Sequence, residues 1–394
     1  MSSALDGIVV LDLTRRFSGS LASAFLGDFG ARVIRLDLLP LKPTQHEGGW
    51  NYEADLIHRN KQSLAVDPKD PRGAAILRQL MGKVDVVVTD WERPDLVAAG
   101  FTYTEAAAEK SDIIFARLSG FGPVGPDRDL PTIDALAAAR CGLLPVLPQL
   151  GQPPAYTAAG IAHAAVMLAL GVMTALFHRD VSGEGQEVDV SLFGANIYSA
   201  TMDVGAVLAM GPIERLLTPV KMTDPYNPIM GALYATADGY WVMLTMPDTE
   251  RWWRGFCAVV GLSPDDSRYN SHDKRTATNR EELIRELVSI FRAQPASYWR
   301  PIFEKNQVPC NIYENFSYPA NDPQASLNRY VIELDHPSFG KIKSMGFPVY
   351  MSDTTARLNS LAPCTGQHTA QVLSELLGYP EANIFDLTAA GVVG

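Results

Sequence analysis

Residues 5–37 read LDGIVVLDLTRRFSGSLASAFLGDFGARVIRLD, and this stretch decides the fold class. It predicts an apolar strand at 8–13, a helix at 20–30 and a second strand at 31–37, with short connections between them. Parallel strands need a long crossover, usually a helix, between one strand and the next. A strand, a helix and a strand in direct succession therefore indicate a parallel sheet with crossover helices.

The alternation of strands and helices continues along the chain. Helices are predicted at 71–82, near 103–110, at 133–142, 157–179 and 193–210, and strands at 84–90, 112–120 and 186–192. This order predicts an α/β fold with a large, doubly wound parallel-sheet domain.

The pattern changes near residue 220. The stretch YNPIMGALYATADGYWVMLTM (226–246) predicts a β-hairpin, since Asp-Gly between β-rich runs is a strong turn signal. Helix-rich sequence with tryptophans follows, so we expect a smaller α+β domain at 222–325. The tail predicts strands at 330–336 and 344–351 and a last helix at 368–378.

Composition and charge restrict the classes of partner. The net charge is −11 and lysines and arginines do not cluster, so no nucleic-acid partner is expected. Four scattered cysteines without C-x-x-C spacing predict neither a metal site nor a disulfide framework. The first residues lack a signal-peptide pattern, and the apolar run at 160–177 is rich in alanine. We therefore expect a cytoplasmic protein in which this run is a core helix and not a membrane span.

The turn after the first strand argues against a dinucleotide cofactor. It reads TRRFSGS (14–20) and holds a single glycine, whereas the dinucleotide fingerprint needs three at fixed positions. Two interpretations of Arg15 and Arg16 stay open. They bind an anionic ligand at the helix start, or they are exposed surface arginines.

Four other residues have both functional and structural interpretations. Ser119 lacks the glycine two positions before it that a hydrolase elbow requires, which favours a serine that closes a strand. His163, near the start of the apolar helix, is either a hydrogen-bonded core or interface histidine or a general base. Lys61 and Trp91 follow loop and strand ends, where α/β sheets collect ligand contacts.

Five stretches, taken in order, carry a resemblance to a known family. They are LDGIVVLDLTRRFSG…LGDFGARVIRLD, HRNKQSLAVDPKDPRG, VDVVVTDWERPDLVAAGF, ARLSGFGPVGPDRDLPTIDALAAARCGL and ALFHRDVSGEGQEVDVSL. Together they resemble the family III (CaiB/BaiF-type) CoA-transferases, which also include acyl-CoA racemases. The resemblance implies a large domain built from both chain ends, 1–221 and 326–394, with the small domain inserted between them. It also implies two interlocked subunits with active sites between them.

The resemblance further implies a substrate, a mechanism and a set of contacts. In this family an aspartate attacks the donor thioester, giving an acyl-aspartyl anhydride and then an aspartyl-CoA thioester. A CoA thioester is thus a substrate, and no cofactor is tightly bound. Lys61 matches the family pattern, and Asp90 and Trp91 replace its Asn-Phe pair. The residues that the resemblance places against CoA are Phe17, Lys61, Asp90, Trp91 and Ser119.

The family's nucleophile is missing from this sequence. Counting back from Ala175–Leu176 and from Gly183–Gln186 places the aspartate on Ile161, directly after Gly160. Isoleucine cannot form an anhydride, so no catalytic residue is assigned and His163 is the remaining candidate.

Further departures concern the CoA phosphates and a loop. Leu38 and the stretch Val97–Ala99 stand where the family has basic residues for the phosphates. The Gly-rich loop that closes over the anhydride in the family is represented only by Asn227–Gly231. These losses together suggest relaxed selection on a CoA site.

We interpret the chain as a catalytically silent subunit of a heteromeric CoA-transferase that moves CoA between carboxylic acids. Its partner would be an Asp-bearing homologue that holds most of the CoA, as in the benzylsuccinate-type enzymes of anaerobic aromatic degradation. Two alternatives stay open. One is a self-sufficient acyl-CoA racemase or lyase that works through His163 or another base, and the other is a non-enzymatic binding protein of the same fold.

Overall fold

The computed structural model of the chain describes residues 3–40, 50–142, 156–212 and 226–394. The chain forms two compact units, and the second takes in Ala209–Asp322 while Pro323–Gly394 returns to the first. The predicted boundary between 221 and 222 lies outside the described residues. The second boundary, where the chain returns to the large domain, is predicted at 326. The compact units divide after Asp322, and the exact domain boundary stays a prediction.

The helices and strands alternate through the first unit and change to antiparallel strands later. In chain order they are β1 (Val9–Asp12), α1 (Phe17–Asp28), β2 (Arg32–Leu38), α2 (Tyr52–His58), β3 (Lys61–Val66), α3 (Pro71–Met81), β4 (Val86–Thr89), α4 (Arg93–Ala99), α5 (Tyr103–Glu109), β5 (Ile114–Ser119), α6 (Asp134–Arg140), α7 (Ala159–Ser182), β6 (Gln186–Ser191), α8 (Leu192–Ser199), α9 (Thr201–Met210), β7 (Met230–Ala235), β8 (Trp241–Thr245), α10 (Thr249–Val260), α11 (Arg280–Arg292), α12 (Ala296–Asn306), β9 (Cys310–Tyr313), α13 (Pro323–Leu327), β10 (Val331–His336), β11 (Gly340–Met345), α14 (Thr369–Leu377) and α15 (Glu381–Ala389). A π-helical turn at Lys274–Thr278 and a 3₁₀ turn at Tyr318–Ala320 complete the set.

Six parallel strands form the main sheet, in the order β3-β2-β1-β4-β5-β6. Leu11 of β1 pairs with Ile34 of β2 on one side and with Val87 of β4 on the other. The prediction of an α/β fold with a large parallel sheet is confirmed. Because the strand order reverses between β1 and β4, a crevice is expected at the carboxyl ends of these two strands.

The sheet is buried on both faces. Leu11 and Leu13 belong to a core that includes α3, α4, α5, α14 and α15. Val10, the residue before Leu11, faces a second core formed with α1, α6, α7 and α8. Side chains alternate between the two faces of a strand, so a strand covered on both sides reads as a continuous apolar run.

The sequence missed some elements of this unit. The strand β3 (KQSLAV) begins with three polar residues and lies at the sheet edge, so it lacks the apolar run of the central strands. Lys61 follows a turn at 59–60, as expected, and is the first residue of this strand. The helices α2 and α4 have seven residues each, which is too short for a clear helical period.

The apolar helix α7 is a core helix, as predicted. It is long and apolar enough to cross a membrane, and the bent pair α8–α9 passes the same test only if taken as one span. Its residues Ala164, Ala165 and Leu168 are buried in the core that α1 and the sheet share. This packing favours a core helix.

The helix predicted at 193–210 is wrong as a single element. It is two helices, α8 and α9, bent by 79° at a break. The break falls at Ala200, where the backbone leaves the helical conformation. Composition alone does not reveal the bend, because both helices are apolar.

The second unit and the tail contain antiparallel pairs. β7 and β8 form the predicted hairpin, and β9 adds a third strand. In the tail β10 pairs with β11. The strand predicted at 344–351 is wrong beyond Met345, since Gly346 and Pro348 follow it and proline lacks the N–H that a ladder needs.

A buried ion pair connects β1, β3 and α1. The Lys61 ammonium donates to Asp12 Oδ2 at 2.7 Å, to the Ser20 carbonyl at 2.8 Å and to Ser23 Oγ at 2.9 Å. Both charged side chains are 0% exposed. Burial by itself would raise the pKa of Asp12, but the charge and hydrogen bond of Lys61 hold this pKa below its usual value.

We predict that Lys61→Met lowers the free energy of unfolding by about 3–5 kcal/mol, because it leaves the Asp12 carboxylate buried without its counter-ion. Urea denaturation followed by circular dichroism measures the change. The matched control is Lys69→Met, which removes an exposed lysine and should leave the unfolding midpoint in place. Equal midpoints for the two variants would contradict a stabilising role for the pair.

Candidate functional site

Three of the residues predicted to contact CoA lie at the carboxyl ends of β1 and β4. Asp90 and Trp91 directly follow β4, and Phe17 is the first residue of α1, after β1. These are carboxyl ends of neighbouring parallel strands at the reversal of strand order, the usual place for a ligand in such sheets.

Asp90 occupies the start of α1. Its carboxylate is fully buried and accepts the backbone N–H groups of Arg15 and Arg16, each at 2.8 Å. Burial raises the pKa of Asp90 to about 6, although these two donors and the Arg16 charge act to lower it. A side chain at Gly19 would place its Cβ 2.7 Å from Asp90 Oδ2. The carboxylate thus binds the two backbone N–H groups that directly precede α1, next to the positive end of the helix.

The two arginines of this turn are held by neighbouring side chains. The Arg15 guanidinium lies 3.5 Å from the centre of the Trp91 ring, a cation–π contact. Arg16 donates to the Asp90 carbonyl at 2.6 Å and forms an ion pair with Glu92. Trp91 itself is buried and donates its indole N–H to the Leu13 carbonyl.

Lys61 and Ser119 are also saturated by internal partners. The Lys61 ammonium donates to Asp12, Ser20 and Ser23, and its side chain has no exposed surface. Ser119, at the end of β5, donates to Asp189 Oδ1 at 2.6 Å and accepts the Gly122 N–H at 3.1 Å. Contact of these two residues with CoA stays a prediction.

The start of α7 lies at the same edge of the sheet. At the other end of this helix Arg179 binds Asp85, which precedes β4, at 3.0 Å. The last turn of α7 is therefore at the amino edge, and its first turn, with half-buried Ile161, is at the carboxyl edge. Ala158 caps the helix in the left-handed conformation (φ 55°), and the first turn holds no acidic residue.

A carboxylate that the sequence analysis missed lies beside this turn. Asp134, from the first turn of α6, accepts Asn196 Nδ2 at 2.9 Å and the Tyr156 hydroxyl at 2.7 Å, one on each oxygen. Burial and the hydrogen bond to Asp134 raise the pKa of Tyr156 to about 12. A Cβ on Gly160 would lie 2.3 Å from Asp134 Oδ1 and 2.2 Å from Asn196 Nδ2.

Asp134 was hard to find because it is far from α7 in sequence. The one available signal was an aspartate that opens the apolar stretch DALAAAR. In the folded chain it provides negative charge next to a helix start that has none of its own. Since both oxygens accept hydrogen bonds, the carboxylate is positioned as a partner of Tyr156 and Asn196.

His163 is exposed, so a core histidine is the wrong interpretation, while the interface histidine and the general base stay open. Its Nδ1 lies 3.1 Å from the Ala159 carbonyl of the same helix. Within the described ranges, no three His, Cys, Asp or Glu side chains come together in a way that would hold a metal ion.

A pH-dependent contribution to stability is expected from Asp90. Its pKa is about 6 in the folded chain against 3.8 as its ordinary value, so the folded state binds more protons between these pH values. Its contribution to stability therefore falls as the pH rises through this window, by up to about 3 kcal/mol, and is constant above it. Urea denaturation of the wild type and of Asp90→Asn from pH 4 to 8 tests this, and a pH-independent difference between them would contradict it.

We predict that Gly160→Ala lowers the free energy of unfolding by about 1–3 kcal/mol, because the added methyl group collides with Asp134 and Asn196. The matched control is Gly205→Ala in α9, where a Cβ meets nothing within 4 Å. The control should gain stability, since alanine is the better helix former. Thermal unfolding of the two variants measures these changes in stability. An unchanged stability of Gly160→Ala would contradict the tight contact of Gly160 with Asp134 and Asn196.

Comparisons with known proteins agree with this architecture. The profile of CoA-transferase family III matches residues 5–369. Human succinyl-CoA:glutarate CoA-transferase is 30% identical over 99% of this chain and 90% of its own length. The (R)-2-hydroxy-4-methylpentanoate CoA-transferase of Clostridioides difficile is 27% identical over 99% of each chain. The crystal structure of a CAIB/BAIF family protein from Brucella suis superposes with a TM-score of 0.80 at 21% identity, covering 95% of this chain and all of its own. The chain belongs to CoA-transferase family III.

Proposed function

We propose that this chain is the catalytically silent subunit of a heteromeric CoA-transferase that moves CoA between carboxylic acids. The observation that carries the proposal is Ile161, which follows Gly160 in the first turn of α7 where the family resemblance places the nucleophile. Its side chain has no lone pair to attack a thioester. A homologous subunit with an aspartate at this position would form the anhydride and the CoA thioester.

The contacts of Asp134 support this assignment. It is the carboxylate next to Gly160, but both of its oxygens are engaged by Tyr156 and Asn196. Hydrogen bonds from these two donors lower the nucleophilicity of both oxygens, which disfavours attack on a thioester carbonyl. In its present contacts Asp134 stabilises the helix start and leaves the chemistry to the partner.

The missing cations support CoA binding mainly by the partner. Leu38 ends β2 with a half-buried apolar side chain, and Val97–Ala99 form the exposed end of α4. Neither offers charge to a phosphate. Arg15 and Arg16 are held by Trp91, Asp90 and Glu92.

Apolar surface on two helices supports a protein partner. Phe177 and Val181 of α7 are 73% and 78% exposed. On α9 Met202 and Leu208 are 88% and 81% exposed, and the helix buries none of its residues. Exposed apolar side chains such as Phe177 and Val181, one helical turn apart on α7, are typical of protein contacts. We propose that the homologous subunit covers it, as an interlocked dimer would.

A second candidate, a self-sufficient acyl-CoA transferase, racemase or lyase, rests on one observation. Asp134 is a buried carboxylate at the turn where the family nucleophile belongs. If Asn196 or Tyr156 moved away on substrate binding, Asp134 would serve as the acid, base or nucleophile, with exposed His163 as a further base.

The first test measures where the covalent intermediate forms. The chain is purified alone and co-expressed with an Asp-bearing homologue encoded beside it, and each sample receives succinyl-CoA with (R)-benzylsuccinate or glutarate. Borohydride reduction followed by intact-mass measurement of each polypeptide locates the aspartyl thioester. We expect no transfer by the chain alone, transfer by the complex, and the mass change on the homologue only.

The controls separate the two candidates. Replacing the homologue's aspartate by asparagine should abolish transfer even though this chain is unchanged. Asp134→Asn in this chain should leave transfer by the complex within a few-fold of normal. Transfer, or deuterium exchange at the α-carbon of a branched acyl-CoA, by the chain alone and lost in Asp134→Asn would replace the first proposal by the second. A failure to form any complex, without activity, would contradict both and favour a binding protein.

A further inference from the structure

A cavity of about 450 Å³ lies in the first unit, away from the site just described. One wall is formed by Asp28, the last residue of α1, and by Arg59, which follows α2. Since α1 runs from the carboxyl end of β1 to the amino end of β2, Asp28 is at the amino edge of the sheet. Asp90 and Gly160 are at the opposite edge.

Direct contacts hold the walls of this cavity in place. The ring of Phe347 packs edge-on against Phe25 and Phe29, with centroids 4.9 and 5.1 Å apart. Arg59 donates to the Met345 carbonyl at 2.6 Å. A Cβ on Gly346 would lie 1.9 Å from the Arg329 carbonyl, so the two backbone segments are in close contact.

The lining is apolar with an excess of positive charge. Ile332, Phe347 and Val349 provide hydrocarbon and aromatic surface. The Arg59 guanidinium is neutralised by Asp28 at 2.6 Å, and both side chains are buried. Arg329 and Arg357 also line the cavity, and in the part of the chain that the structure describes their guanidinium groups have no hydrogen bond or ion pair.

We propose that this cavity binds a small carboxylic acid with an apolar body, such as an aromatic or branched aliphatic monocarboxylate. The body would lie against Phe347 and its apolar neighbours, and the carboxylate would pair with Arg329 and Arg357. The volume is within the range of small-molecule sites, and guanidinium groups bind carboxylates through two parallel hydrogen bonds. The proposal does not depend on the silent-subunit function, because none of these residues belongs to the turn around Ile161.

The test compares three probes by titration calorimetry on the full chain: phenylacetate, its neutral amide phenylacetamide, and acetate. We expect phenylacetate to bind at least about tenfold more tightly than either of the other two, since each lacks the charge or the apolar body. Arg329→Gln and Arg357→Gln should each weaken phenylacetate binding by a similar factor. Ala356→Trp, which fills the cavity from its lining, should abolish binding.

Arg72→Gln is the matched control, because it removes an exposed arginine outside the cavity and should leave binding unchanged. Circular dichroism of each variant checks that it is folded. Equal binding of phenylacetate and its amide, binding that survives Ala356→Trp, or no binding at millimolar phenylacetate would overturn the proposal. A lack of binding combined with concentration-dependent protection of 346–358 from hydrogen exchange would assign the cavity to a polypeptide contact instead.

Discussion

The turn that leads from β1 into α1 is held by a buried carboxylate, Asp90, which directly follows β4. Asp90 accepts two N–H groups from residues that precede α1, at a sequence separation of about 75 residues. These bonds join the carboxyl ends of β1 and β4 at the point where the strand order reverses. Asp90 holds Arg15 and Arg16, and Trp91, which follows it, contacts the Arg15 guanidinium.

A second internal carboxylate serves the start of α7. Asp134 lies against Gly160, and its oxygens are occupied by Asn196 and Tyr156. The starts of α1 and α7 thus both lie next to negative charge from the chain itself. An anionic substrate would meet these carboxylates first, which agrees with the proposal that this subunit keeps the architecture of the family without its nucleophile.

The central strands were predictable because burial on both faces demands continuous apolar runs, which are visible in single segments such as IVVLDL. The edge strand β3 was missed because its first three residues are polar. The position of Lys61 in the sequence predicts a ligand contact. In the structure its ammonium group has three internal partners. No local sequence pattern predicts the pairing of Lys61 with Asp12, because the two residues are far apart in the chain and meet only when β1 and β3 join one sheet.

The sequence by itself determined that this is an α/β chain, because periodicity and motif spacing are local properties, and the same spacing carries the prediction that an isoleucine stands at the family's nucleophile position. Only the tertiary structure decided which charges meet. Three contacts show this, and their partners are 26 to 75 residues apart in the chain: Asp90 with the start of α1, the Asp134 carboxylate with Gly160, and Arg59 with Asp28. Such contacts depend on how strands order and helices pack, which no single segment reveals, and burial makes the ion pairs among them costly to break because the remaining charge would lack a partner.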